Sequence, residues 1–289
     1  MATAGRTNIG PWRVARGSLP AMSSSPLSQP LPWDLVAAAY AQDTAPVFES
    51  YANRALDLAG LGASARVLDV AAGPGTLSLL AAARGHQVQA LDFAPNMIEA
   101  LKQRAAAKGV SIAAQTGDGM ALPYGAESFD AAFSMFGLMF FPDRAKGFAE
   151  LHRVLVPGGR AAVSSWHPLD GVPIMRTAFT AMSELLGQPA GPPPVRPALT
   201  TEADCVAEMS AAGFRDVSVV THVHGFSAPS LTAFWQSFPK ACAPMALLRN
   251  SMGNSFDAIE DGMLQRLRAE FGDGPVTLDM PAWITVGTR

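Results

Sequence analysis

The sequence predicts an α/β fold, a doubly wound and mostly parallel sheet with helical cap insertions. Three observations predict it. Strand-like and helix-like segments alternate from residue 66 to residue 166. Each predicted strand is a short apolar run of the buried parallel kind. The first strand, Arg66–Val70, runs into the small-residue turn Ala71-Ala72-Gly73-Pro74-Gly75 and then a helix. That order creates a ligand site, because glycines let a ligand lie on the backbone and a helix start offers unpaired N–H groups. It suits the polar tail of a nucleotide-like cofactor.

The chain has 289 residues, 49% apolar and 16% charged, which fits a buried globular enzyme. Net charge is −3 without a Lys/Arg run, so nucleic acid is excluded as the main partner. Cys205 and Cys242 give neither metal-ligand spacing nor a disulfide framework. That fits a reducing, cytoplasmic setting. No apolar run reaches membrane-spanning length.

Residues 1–32 hold three arginines, five prolines and no acid. They read as a disordered or targeting extension. Residues 33–289 read as a single domain, with core 60–167, 201–225 and 276–289 and cap segments 168–200 and 226–275. Asp34–Ala59 has helical spacing broken by Pro46. It either covers a sheet edge or forms a lid, with Tyr40 or Tyr51 reaching inward.

Along the core, the expected strands are Arg66–Val70, Gln87–Asp92, Ser111–Thr116, Phe129–Met135 and Arg160–Trp166. The helices between them are Thr76–Arg84, Pro95–Lys108 and Pro142–Leu155. Right-handed crossovers put the strand C-termini on one rim, where ligands bind. Asp92 ends the second strand and reads either as an acceptor for two ribose hydroxyls or as a helix N-terminal acid. Asp118, in Gly117-Asp118-Gly119-Met120, reads either as an acceptor for an adenine amino group or as a turn aspartate. Beyond residue 167, Ile174–Leu186 and Thr201–Ala212 read as helices and Asp216–His224 as a sixth strand. Phe226–Phe271 reads as helical, and Ala282–Thr288 closes as a seventh strand.

Four stretches in order, VLDVAAGPGTLSLL, ALDFAPNMIEAL, TGDGMALPYGAESFDAAFSMFGLMFFPD and ELHRVLVPGGRAAVSSW, cover about a third of the chain. Together they resemble class I S-adenosylmethionine (SAM) methyltransferases, closest to the group that includes the ubiquinone/menaquinone-biosynthesis enzymes. Two departures stand out: Ala71 replaces the first glycine of D-x-G-x-G-x-G, and Ser78 stands where a dinucleotide fold needs a third glycine.

The resemblance implies SAM as cofactor and a closing antiparallel strand pair. It places Asp69, Ala71, Gly73 and Gly75 around the methionine moiety and Asp92 on the ribose. Phe93 and Met97 fall near the adenine, Asp118, Gly119 and Met120 at its edge, and Ser134 near the sulfonium. Val156-Pro157-Gly158-Gly159 becomes a structural turn.

Methyl transfer needs alignment, with a base only where the acceptor must lose a proton. His167, at the end of the fifth strand, is the expected catalytic base, or else a loop histidine without a role. Tyr40, Phe136, Met139 and Trp166 are the expected acceptor contacts. Ser134-Met135-Phe136-Gly137 lacks the polar clamp that amino-methylating nucleic-acid enzymes place there. A small, largely apolar or aromatic acceptor follows, with O-methylation favoured by the possible base and no metal required. The alternatives are a nicotinamide-dependent oxidoreductase and a non-catalytic SAM-binding module.

Overall fold

The computed structural model describes residues 25–168, 171–187 and 199–289. It opens with a 3-10 turn at Pro26–Ser28 and helix α1, Pro30–Ala39. Residues 25–32 therefore belong to the folded unit, which corrects their assignment to a disordered extension; residues 1–24 lie outside the described residues. A π-helical turn, Tyr40–Thr44, leads into α2, Ala45–Ala59. The chain stays helical through Pro46, which corrects the expected break there: the π turn just before it, in which Ala45 N bonds Tyr40 O, accommodates the proline.

The sheet then builds in the expected order, with β3 starting two residues late and α3 ending one early: β1, Arg66–Val70; α3, Thr76–Ala83; β2, Gln87–Asp92; α4, Pro95–Lys108; β3, Ala113–Thr116; β4, Phe129–Met135. Helix α5, Arg144–Val154, starts two residues later than expected because the Asp143 carboxylate caps it, accepting from Lys146 N at 3.0 Å. Strand β5, Leu155–Trp166, contains the expected turn as an excursion: Phe129 pairs with Leu155, and Ala131 already with Arg160.

Helices α6, Pro173–Leu185, and α7, Glu202–Ala211, follow. Strand β6, Arg215–Ala228, then precedes α8, Leu231–Ala241, α9, Ala243–Met252, and α10, Asp257–Phe271, before β7, Val276–Thr288. Phe226–Ala228 is thus strand, not helix, and β7 starts six residues earlier than expected. These residues pair only with each other, Phe226 with Leu278 and Ala228 with Val276, a contact across the whole helical insertion. Pro281 within β7 hid the strand, since proline normally interrupts one.

The seven strands lie in the order β3-β2-β1-β4-β5-β7-β6, with β7 antiparallel to both neighbours. β1 and β4 are buried on both faces. Val67 and Phe133 pack toward α2 and α3, Leu68 and Val163 toward α5 and α7. Helices α6 and α8–α10 share a separate hydrophobic cluster around Trp235, Phe256 and Met263. No helix of the described residues is long and apolar enough to cross a membrane.

Tyr51 ties the N-terminal helices to the far end of the sheet. Its hydroxyl is shared between the His224 and Met280 carbonyls, each at 2.6 Å, on facing strands β6 and β7. Removing it strands two acceptors beside a fully buried ring. Tyr51→Phe should therefore cost about 1–3 kcal/mol without changing the fold, measurable by urea unfolding.

Candidate active site

The rim of the sheet is shaped by three left-handed residues in one turn: Ala71 (φ 56°), Gly73 (φ 54°) and Gly75 (φ 80°). Gly75 is required by packing: a Cβ there would lie 2.5 Å from Leu101 Cγ of α4. It supports the turn from behind rather than lining the space in front. Gly137 meets the turn from β4, where a Cβ would fall 2.3 Å from Ala71 Cβ. The two small residues let the loops after β1 and β4 touch.

Two buried carboxylates hold the turn. Asp69 Oδ2 accepts from Ser78 N at 3.2 Å and Ser78 Oγ at 2.7 Å, capping α3 from the strand side. Ser78, the residue that departs from a dinucleotide pattern, is therefore the partner of Asp69. Asp92 accepts from Gly73 N at 2.8 Å and from Ala94 N at 2.9 Å. Burial raises the Asp69 carboxyl to about 7 and the Asp92 carboxyl to about 6, against the donors that lower them.

In front of this turn lies one pocket, roughly 1020 Å³ with its open mouth included. It gathers most of the expected residues: Asp69, Ala71, Gly73, Asp92, Phe93, Met97, Asp118, Gly119 and Met120, with Tyr40 and Phe136. Asp118 Oδ1 accepts from Met120 N at 2.8 Å, which sets the second acid at the rim. Thr76 and Leu77, the first residues of α3, complete the wall. Backbone donors, two rim acids and flat apolar surfaces fit a nucleoside with a polar tail.

Other expected residues stand outside this lining. Ser134 is fully buried behind it, its Oγ without a partner among the described residues. Trp166 stacks on Phe136 with centroids 4.0 Å apart, a second layer behind the wall. Met139 packs into the core shared with Leu138. His167 is not brought to the pocket: its ring stacks on Trp283 at 3.7 Å, and burial lowers its proton affinity. The Ser164 hydroxyl accepts from Phe136 N at 2.9 Å and holds Phe136 in its left-handed conformation (φ 58°).

Sequence reasoning missed part of the wall: Ser28, Trp33 and Phe48 line the pocket, beside Phe140 and Phe141 of the aromatic run after β4. Ser28 Oγ donates to Phe140 O at 2.7 Å, and Asp34 Oδ1 accepts from Asn96 N at 2.8 Å, fastening α1 over the rim. Trp33 lies seven residues before Tyr40, two helical turns, which was a readable signal. Ser28 offered none.

Gly137→Ala should destabilise by about 2 kcal/mol or more through the clash with Ala71. Ala71→Gly in the same chain should restore most of it, a coupling that thermal melts of both single variants and the double variant would measure.

Residues 67–159 match a family model described as a methyltransferase domain. The demethylmenaquinone methyltransferase of Thermus thermophilus is 41% identical over 118 residues, 40% of this chain and 54% of that one. An uncharacterised protein of Mycobacterium tuberculosis is 43% identical over 108 residues, 37% of this chain and 39% of that one. The chain spans about half the length, or less, of these curated relatives.

Among solved structures, the Bacillus subtilis YcgJ protein superposes with TM-score 0.54 at 19% identity, covering 82% of this chain and 97% of that one. Phosphoethanolamine N-methyltransferase 2 of Haemonchus contortus, solved with S-adenosylhomocysteine, gives TM-score 0.55 at 17% identity, covering 89% and 57%. These low identities establish the fold. The glycine turn, the rim acids and the strand order agree with the match of residues 67–159 to a methyltransferase domain.

Proposed function

We propose that this protein transfers the methyl group of SAM to a small, largely apolar or aromatic metabolite. One observation carries the reading. Asp92 is held by Gly73 N and Ala94 N so that its remaining lone pairs are free at the pocket, beside a turn that a nucleoside tail can approach. Bound there, SAM supplies an activated methyl group on a sulfonium, a good leaving group.

The chain's own work is alignment and exclusion of water. Asp92 takes the ribose hydroxyls and Asp118 the adenine amino group. Trp33, Phe93 and Met97 enclose the apolar part. Tyr40, Phe48 and Phe136 present ring surfaces toward the acceptor, backed by Trp166. Ala243 of α9 packs with Val36 and Met97, so the helical insertion reaches α1 and α4 on the cofactor side of the rim.

A quinol or phenol-like acceptor agrees with these flat walls and with the demethylmenaquinone methyltransferase relative. Among the described residues no lysine or histidine lines the pocket. O-methylation therefore fits a hydroxyl acidic enough to ionise before it binds, and His167 as base rests on its sequence position alone. The two free thiols suit a cytoplasmic site of action.

S-adenosylhomocysteine should raise the melting temperature, and NAD(H) should not; stabilisation by NAD(H) alone would favour the oxidoreductase reading. Methyl-labelled SAM should label a quinol fraction of cell extract, and no labelled product would favour a non-catalytic SAM-binding module. His167→Ala should keep wild-type turnover; a fall with unchanged cofactor affinity would make His167 the base.

The pH dependence has two opposite signs. Both buried carboxyls are raised in the folded state, so they stabilise the unliganded protein at low pH, and that contribution is lost as pH rises through about 6 to 7. Binding of S-adenosylhomocysteine needs ionised Asp92, so its affinity should fall as pH drops below about 6. Melting curves and calorimetric titrations from pH 5 to 8 would show both trends.

A further inference from the structure

Strand β6 forms one edge of the sheet. Its inner side pairs with β7, and among the described residues no other strand pairs with it. The opposite edge, β3, has 4 residues, whereas β6 has 14. Both faces of β6 are in use near its middle. Ser50 Oγ of α2 lies 2.8 Å from His222 Nε2 on one face, and Val217 and Val219 join the core that holds Met209 of α7. The Tyr51 hydroxyl meets His224 O from the inner side, where it also reaches Met280 O of β7. The outer row of main-chain N–H and C=O groups is what stays open, and another extended strand satisfies such a row best. Sheet edges are normally blunted by charge, proline or bulges. Here the interruptions stand only at the two ends of one stretch. Before it, the register shifts between Arg215 and Ser218, with Asp216 left-handed (φ 50°). After it comes Gly225, where a Cβ would lie 2.0 Å from Leu278 O. Between them, SVVTHVH carries no Asp, Glu, Lys, Arg, Pro or Gly. Val219, Val220, Thr221 and Val223 are β-branched strand formers, and Val223 is left 52% exposed.

We propose that residues 218–224 pair antiparallel with the same residues of a second copy of this chain, joining two sheets edge to edge across a two-fold axis at Thr221. The register follows from the interruptions: identical antiparallel stretches overlap fully only when their midpoint lies on the axis. Val219 then faces the partner's Val223 on one face, so the exposed valine gains an apolar neighbour. On the other face Val220 meets the partner's His222, and Ser218 meets the partner's His224. No fixed charge faces another, and no histidine faces a histidine. A second copy suits this edge because the contact is self-complementary and closed. It uses up the long edge of both copies and leaves only the short β3 at each end of the joined sheet, so the pairing stops at two chains. The proposal is independent of the SAM reading.

Analytical ultracentrifugation of the full chain tests this. At roughly 100 μM the wild type should sediment with twice the 30.2 kDa chain mass and dissociate on dilution. Thr221 is exposed, so substitutions there leave the folded chain intact. Thr221→Lys sets two ammonium groups against each other at the axis and should raise the dimer Kd at least about ten-fold, with an unchanged circular dichroism spectrum. Thr221→Cys brings two thiols within disulfide reach and should form a covalent dimer on mild oxidation. The wild type, with Cys205 and Cys242, should not, and neither should Ser227→Cys at the far end of the strand. A monomer at every concentration would overturn the proposal, whether the amides of residues 218–224 exchange freely with solvent or are covered by another part of the chain. A dimer that survives Thr221→Lys, or one that Thr221→Cys fails to cross-link, would place the contact elsewhere and overturn it too.

Discussion

The structure depends on a carboxylate kept out of water. Asp92 ends β2 at 4% exposure, in a place where an uncompensated charge is very costly. Its compensation comes from main-chain N–H groups, chiefly Gly73 on the neighbouring loop and Ala94 on its own. That arrangement joins the ends of β1 and β2 into one rigid edge. Asp69 does the same between β1 and α3 through Ser78. The pocket is the open side of these two constraints.

Around that edge the protein trades backbone freedom for closeness. Ala71 and Phe136 both adopt left-handed conformations that side chains disfavour. Phe136 is held by the Ser164 hydroxyl, and Ala71 faces Gly137, where a side chain would clash with it. Residues in such conformations concentrate where a loop must present its backbone to a ligand. The π-helical turn at Tyr40–Thr44 belongs to the same economy, since it re-aims the chain between α1 and α2 so that Tyr40 and Phe48 both reach the pocket.

The far half of the molecule works by enclosure. The long β6–β7 hairpin carries the edge of the sheet beyond β5, and Tyr51 fastens α2 to it. Phe136 stacks on Trp166, and Tyr51 meets both rings edge-on, which links the pocket wall to the hairpin. This wall of the pocket is thus stiffened from behind by aromatic contact rather than by ion pairs. Ion pairs such as Arg66–Asp130 and Arg249–Asp257 lie at the surface, where each contributes little.

By itself the sequence determined the alternating core, the glycine turn and the acids at the strand ends. All are encoded within a few neighbouring residues: a β-branched run, a small-residue break, an acid at the end of a strand. It also carried enough of that order for the resemblance to a methyltransferase to be drawn. Only the tertiary structure decided what the rim contains. Ser28, Trp33 and Phe48 reach the pocket from helices that local pattern could only describe as amphipathic, and His167 was turned away onto Trp283. The extent of β6 and β7 was decided there too. The physical reason is the same in each case: these features exist through partners dozens to hundreds of residues distant, and short-range periodicity holds no record of which distant surface a side chain will meet.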